Sequence, residues 1–149
     1  MICVQPHGAP AMTRSWHQHR VISTDATDTI ADGVAGRYPI PVVLDDLLKV
    51  ADDAVLVQEA SIVAGMRLLL EHAGLVVEPS AALGVAAVLE DPDRFAGRDV
   101  VTIICGSNVD LDNYRQWVRT GPQVLSQPKA TEDPSRRCHG SPRPANMNP

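Results

Sequence analysis

The stretch Val100-Val-Thr-Ile-Ile-Cys105 is the strongest constraint on how this chain folds. It shows no alternation of polar and apolar residues. As a strand it needs cover on both faces, the situation of a parallel sheet held between two helix layers. The run then stops at once in Gly106-Ser107-Asn108. In open α/β sheets the carboxyl ends of strands are where ligands bind. A glycine there lets a ligand approach the backbone, Ser107 and Asn108 bring donors and acceptors, and Cys105 brings a weakly polar contact. Taken alone, the tetrapeptide is better read as a plain turn into a helix, with Asn108 or Asp110 as the cap.

The rest of the chain fits the architecture this run demands. Residues 2 to 5 form a short apolar strand closed by Pro6, and 54 to 59 a second. A helix opening near Pro10 runs to about His17. Residues 21 to 41 have no period and read as a long ordered loop. From 42 to 50 the helical spacing puts Val43, Leu47 and Val50 on one face, with Leu44 and Leu48 beside it. Residues 59 to 74 are the clearest helix, with Ile62, Met66, Leu69 and Leu70 as its stripe and Gly74 as its stop. After a brief apolar stretch at 75 to 79, Ser80 is expected to cap a small-residue helix. A polar turn precedes the 100–105 strand, and a last helix covers 111 to 118. Strands alternating with helices imply βα units: an α/β fold with a three-layer, mostly parallel sheet and helices on both faces.

Composition narrows function by exclusion. The net charge of −5 argues against nucleic acid, whose binding needs a surplus of Lys and Arg, and against a membrane surface. Three unpaired-looking cysteines (Cys3, Cys105, Cys138) give no disulfide framework and suit a reducing cytoplasm. No stretch reaches membrane-helix length, and the N-terminus lacks a signal-peptide pattern. From Thr120 the character changes. Six of the twelve prolines lie in 120–149, with few large apolar residues. The chain therefore reads as one domain, 1–119, and a disordered Pro-rich tail, 120–149.

Four segments, in order, carry a resemblance. "VQPHGAPAMTRSW" (4–16) precedes "DTIADGVAGR" (28–37), similar to a "DTIADGIAV" loop. "LVVEPSAALGVAAVL" (75–89) is similar to "VVEPSGAAALAAL", and Cys105-Gly-Ser-Asn108 to a "SGGN" turn. Together they resemble the pyridoxal-phosphate enzymes of the threonine dehydratase and serine racemase family, with the fold of the tryptophan synthase β subunit, over about residues 2–118. The resemblance implies a fold-type II catalytic domain, pyridoxal 5'-phosphate as cofactor, and a lyase that removes water and then ammonia from L-threonine or L-serine. Serine racemisation and 3-hydroxyaspartate dehydration are the sibling activities. It further implies that Cys105 faces the cofactor's ring nitrogen, that Gly106, Ser107 and Asn108 line the ring edge, and that Glu78 lies near the pocket as a proton relay or water holder. Asp32 and Gly33 would be structural neighbours of the site.

Two parts of that machinery are missing. The family holds its cofactor through a lysine in an "S-x-K-x-R-G" segment and cradles the phosphate on a glycine run. This chain has only Lys49, in an exposed helix, and Lys129, in the tail. It is therefore expected to be the C-terminal portion of the catalytic domain, inactive alone, with no Schiff-base lysine of its own. Either an upstream half complements it, or it binds an intact paralogue as a non-catalytic or vestigial piece through an exposed sheet edge. The family's divalent-metal positions hold Gln5 and Ala11, so no metal is expected. His17 and His19 read as a solvated helix end, and His72 as a charge at a helix C-terminus. Cys3 reads as a small buried hydrophobe, Asp52-Asp53 as a surface turn, and Met66 as core.

Overall fold

The computed structural model describes residues 1–119; the expected Pro-rich tail, with Lys129 and Cys138, lies outside the described residues. Strands β1 (Ile2–Pro6) and β2 (Asp53–Val57) pair in parallel, Ile2 opposite Asp53 and Pro6 opposite Val57. Parallel pairing demands a long crossover, here helix α1 (Ala11–Gln18), a loop, and helix α2 (Pro41–Val50).

Successive side chains on β1 point to opposite faces, and each face has its helix. On one, the Gln5 side-chain oxygen accepts from the Thr13 amide at 2.8 Å and the Thr13 hydroxyl at 3.0 Å, tying β1 to α1. On the other, Ile2 and Val4 face Gly84, Ala87 and Val88 of helix α4 (Leu83–Glu90). The result is the three-layer α/β arrangement that the sequence implies.

The crossover loop is pinned rather than free. The Asp28 amide donates to the Gly8 carbonyl at 2.9 Å, and the Thr24 amide to that of Arg37 at 3.1 Å. A methyl group at Gly8 would stand 1.7 Å from the Asp28 carbonyl oxygen, so only glycine permits this approach. Within the loop, Asp32–Val34 form one 3₁₀ turn. Proline at the first position suits α2. The α2 stripe differs from expectation: Leu44 is its buried residue, while Val43 and Val50 are exposed. Helix α2 packs chiefly on α1, so a narrow contact line replaces a broad apolar face.

Helix α3 (Glu59–Ala73) matches its pattern. Ile62 and Met66 are fully buried, Leu69 and Leu70 pack at the margin, and Gly74 ends the helix at φ 67°. The core joins these to Val57, Val77, Ala81, Ala82, Leu83 and Ala86. Alanines let α3 and α4 approach closely, which is how a chain with 3% aromatics fills its interior. Ser80 does not cap a helix. It lies inside a 3₁₀ turn, Pro79–Ala82, and Ala82 takes the cap position of α4. The fixed φ of Pro79 starts that turn two residues ahead of the expected helix.

Two polar segments are more ordered than expected. Residues 92–95 form a short helix, α5 (Pro92–Phe95), whose amide at Arg94 is capped by Asp91. Asp53 is no free surface turn: it opens β2 and pairs with Arg94 at 2.7 Å, which holds its carboxyl below the usual range. His17 is exposed, as a solvated helix end should be, and its Nε2 bonds the Ala54 carbonyl at 2.7 Å on the outer edge of β2. Cys3 is only half-buried, and that burial raises its thiol pKa.

The largest correction concerns 100–105. The apolar run is not a buried strand: it forms no ladder, and Val101 and Ile103 are 94% and 80% exposed. Apolar composition demands cover, but cover comes from neighbouring strands, and among the described residues none lies beside this run. The last helix, α6 (Leu111–Arg119), is capped by Asp110, whose carboxylate accepts from the Asn113 amide at 2.8 Å. Arg67 of α3 secures its far end with two bonds to the Val118 carbonyl, at 2.8 and 3.0 Å. Among the described residues no helix is long and apolar enough to cross a membrane.

Candidate functional site

Three chain segments meet around the Glu78 carboxylate. The first is the end of the apolar run: the Glu78 amide donates to the Gly106 carbonyl at 3.2 Å. Gly106 has φ 88°, a conformation glycine adopts freely. A methyl group there would lie 2.4 Å from the Glu78 carboxyl carbon. The second segment is the loop turn at Gly33, where a methyl group would lie 3.4 Å from Glu78 Oε1 and 2.8 Å from the Ser80 hydroxyl. The third is the Pro79–Ala82 turn that carries Ser80. Glycines at 33 and 106 thus let two loops close on one carboxylate.

The expected site residues fall into two groups. Glu78 and Gly106 are brought together, with Gly33 against them. Cys105, Ser107 and Asn108 stand at the exposed rim beside Gly106, and among the described residues their side chains make no hydrogen bond. The Ser107 carbonyl accepts from the Val109 amide at 2.9 Å, which turns the chain toward α6. Three exposed side chains without a hydrogen-bond partner thus stand around one glycine.

Sequence reasoning missed two residues. The Ser80 hydroxyl is buried without a hydrogen-bond partner beside Gly33. An unpaired buried hydroxyl costs free energy, and the "EPS" turn directly after an apolar stretch was the available signal. Glu59 opens α3, and its Oε2 accepts the Ile30 amide at 3.0 Å while its Oε1 is buried and unpartnered. Its carboxylate holds the loop that delivers Gly33. A glutamate in the first turn of a strong helix was its only mark in the sequence.

Lys49 is not part of this constellation. It is exposed on α2, with its ammonium 3.0 Å from Asp46. The positions read as metal-like in other chains hold Gln5, occupied by Thr13, and Ala11, fully buried. Among the described residues no three His, Cys, Asp or Glu side chains cluster as a cation site.

The α/β layers, with a Gly-Ser-Asn turn and a carboxylate at one end, have the fold of the fold-type II class. The match to known proteins is specific: residues 1–106 fit the model of the family described as "Pyridoxal-phosphate dependent enzyme". The chain belongs to that family, whose members use pyridoxal phosphate. It is 35% identical to the beta-hydroxyaspartate dehydratase of Paracoccus denitrificans over 75% of this chain and 35% of that protein. It is 33% identical to the L-threonine ammonia-lyase of Thermotoga maritima over 81% of this chain and 30% of that protein. The structure of maize serine racemase superposes with a TM-score of 0.69 at 28% identity, over 80% of this chain and 37% of that one. The chain thus spans about a third of the length of the relatives it matches.

The residues present fit one side of the cofactor. The unpartnered Cys105, Ser107 and Asn108 groups, around a glycine packed against the Glu78 carboxylate, can line a flat aromatic ring. Lys49, bonded to Asp46 on α2, does not offer the amine that would anchor it.

Proposed function

We propose that this chain forms the ring-side wall of the active site in a pyridoxal-phosphate lyase of hydroxy amino acids, acting on L-threonine or L-serine. The lysine and the phosphate loop would come from a complementary portion of the fold. The observation that carries this reading is the meeting of Gly33, Glu78 and Gly106 beside three unpartnered polar side chains. The cofactor, when bound, acts as an electron sink that eases loss of the α-proton and then of the β-hydroxyl.

The chain's own residues have separate tasks. The Cys105 side chain would meet the ring nitrogen without holding it protonated, as a carboxylate would. Ser107 and Asn108 would fix the ring edge by hydrogen bonds. Glu78, between two loops, would hold a water or carry a proton next to the reacting carbon. The free thiols Cys3 and Cys105 support a reducing cytoplasmic setting. The names of the relatives support three substrates: threonine, 3-hydroxyaspartate and serine.

The test uses the full chain, alone and co-expressed with the part of the Thermotoga relative preceding its match. Cofactor absorbance and ammonia release are followed with L-threonine, L-serine and threo-3-hydroxyaspartate. The expected result is no lysine-bound cofactor absorption and no ammonia from the chain alone, and both from the pair. In the pair, Cys105→Ala should shift the absorption and Glu78→Gln should slow ammonia release. A lysine-bound cofactor in the isolated chain that Lys49→Ala abolishes would overturn the reading.

A further inference from the structure

Strand β2 has an outer edge, the one that faces away from β1. Strand alternation turns the backbone groups of Ala54, Leu56 and Gln58 toward it. Four of these six groups are already taken. The Ala54 amide donates to Asp53 Oδ1 at 2.8 Å, and His17 Nε2 lies 2.7 Å from the Ala54 carbonyl. The Gln58 amide donates to Glu90 Oε1 at 2.6 Å. The Gln58 carbonyl accepts from the Ser61 and Ile62 amides that open α3, at 3.0 and 3.1 Å. Among the described residues, only the N–H and C=O of Leu56 face this edge without a bond.

The three side chains at this edge are themselves placed by neighbours. A carbonyl only accepts, so His17 Nε2 carries the proton, and its ring meets Trp16 edge-on with centroids 5.0 Å apart. The second oxygen of Asp53 accepts from Arg94 at 2.7 Å. Glu90 ends α4, and with Ala87, Asp91, Arg94 and Phe95 it forms the far side of a cleft of about 340 Å³ along residues 55–57. The number of open rungs decides what such an edge can do. A hydrogen bond contributes about 1 kcal/mol net, whereas fixing one residue's backbone costs about 1–2 kcal/mol. Pairing therefore needs a run of rungs with side chains packing around them, and one rung at Leu56 is too short. Without the three side chains, Ala54, Leu56 and the Gln58 amide would form a continuous run.

We propose that His17, Asp53 and Glu90 form a side-chain seal that keeps β2 from pairing edge to edge with a second copy of this chain. An unprotected edge strand is a template for a strand of another chain, and proteins blunt such edges with charges and with cover from neighbouring elements. Here the blunting works group by group, through bonds to the main chain. A second copy is the partner at issue because every copy carries the same edge, and a twofold axis beside Leu56 would lay β2 against β2. The seal is independent of the proposed chemistry.

The experiment reads backbone amide exchange and native mass of the full 149-residue chain across a concentration series. In the wild-type chain the Leu56 amide should exchange at one rate at every concentration, and the Gln58 amide more slowly than Leu56. His17→Ala combined with Glu90→Ala opens the edge at two exposed residues. At high concentration this variant should dimerise, and its Leu56 and Gln58 amides should slow at least about tenfold relative to the dilute sample. His17→Gln with Glu90→Gln returns a donor and an acceptor to the same places and should behave as wild type. Protection of the α3 amides reports that a variant is folded; should the double alanine variant lose it, Glu90→Ala alone is read in the same way. Three results would overturn the proposal: Leu56 protection that grows with concentration in the wild-type chain, a wild-type Gln58 amide no slower than Leu56, or a folded, opened variant whose Leu56 amide keeps one rate at every concentration.

Discussion

The α3–α4 half of the molecule and the half around β1 and 100–105 use the same kinds of residue and reach opposite states. In the first, Ile62 and Met66 are fully buried against alanines of the next helix. In the second, Val101 and Ile103 are as apolar and stand in the open. A helix satisfies its own backbone and has only one stripe to cover, so a single neighbouring helix completes it. A strand satisfies nothing by itself and needs a neighbour on each edge and a layer on each face. Burial in the first half follows from local sequence, and in the second from what lies alongside.

Substitutions at matched positions give the sharpest break. Met66→Ala should cost about 3 kcal/mol of unfolding free energy, because a fully buried side chain leaves a cavity. Val101→Ser should change stability by less than about 0.5 kcal/mol, as exposed positions do. Urea titration of both variants measures the contrast, and equal losses would erase the distinction between the halves. Next in size, Gly106→Ala puts a methyl group against the Glu78 carboxyl at φ 88°. It should cost about 2 kcal/mol, read as a lower thermal midpoint, and should move Glu78 while leaving α3 intact in amide exchange.

Gln5→Leu is smaller. It removes the acceptor for two Thr13 donors and should cost about 1 kcal/mol, with α1 amides exchanging faster than those of α3. Smallest is Arg94→Ala, which should cost at most about 0.5 kcal/mol at neutral pH, as part-exposed pairs do. The Asp53 carboxyl is held below its usual value first by the hydrogen bond from Arg94. The pair's contribution is therefore complete above the unfolded carboxylate value of about 3.9 and disappears as pH falls through the lower folded value. Wild type and variant should melt alike at the acid end of a pH series; a difference that grows with acidity would contradict the pairing.

What the sequence disclosed follows the same division. Helix α3, its stripe and its stop at Gly74 were legible because helical period and termination are local signals. Strands β1 and β2 were legible as short apolar runs, and the family as four ordered motifs ending in Cys105–Asn108. The exposure of 100–105 was not, since composition states a demand for cover without saying what is present to meet it. Asp53 with Arg94, and His17 with Ala54, join residues 41 and 37 positions apart, and neither pairing leaves a local mark. Ser80 was misread because a serine before alanines looks like a cap, whereas Pro79 had already set a tighter turn.

The contact at Gly8 reaches further than its size suggests. The bond from Asp28 fastens the crossover loop to the tip of β1, and the same loop ends by setting Gly33 on Glu78. A hydrogen atom where every other amino acid carries carbon thus acts as the hinge pin for a turn some two dozen residues downstream. Exchange Gly8 for alanine and the disturbance should surface at the carboxylate before it surfaces in the core: a site can be dismantled from a distance, by crowding the place where its supporting loop is moored.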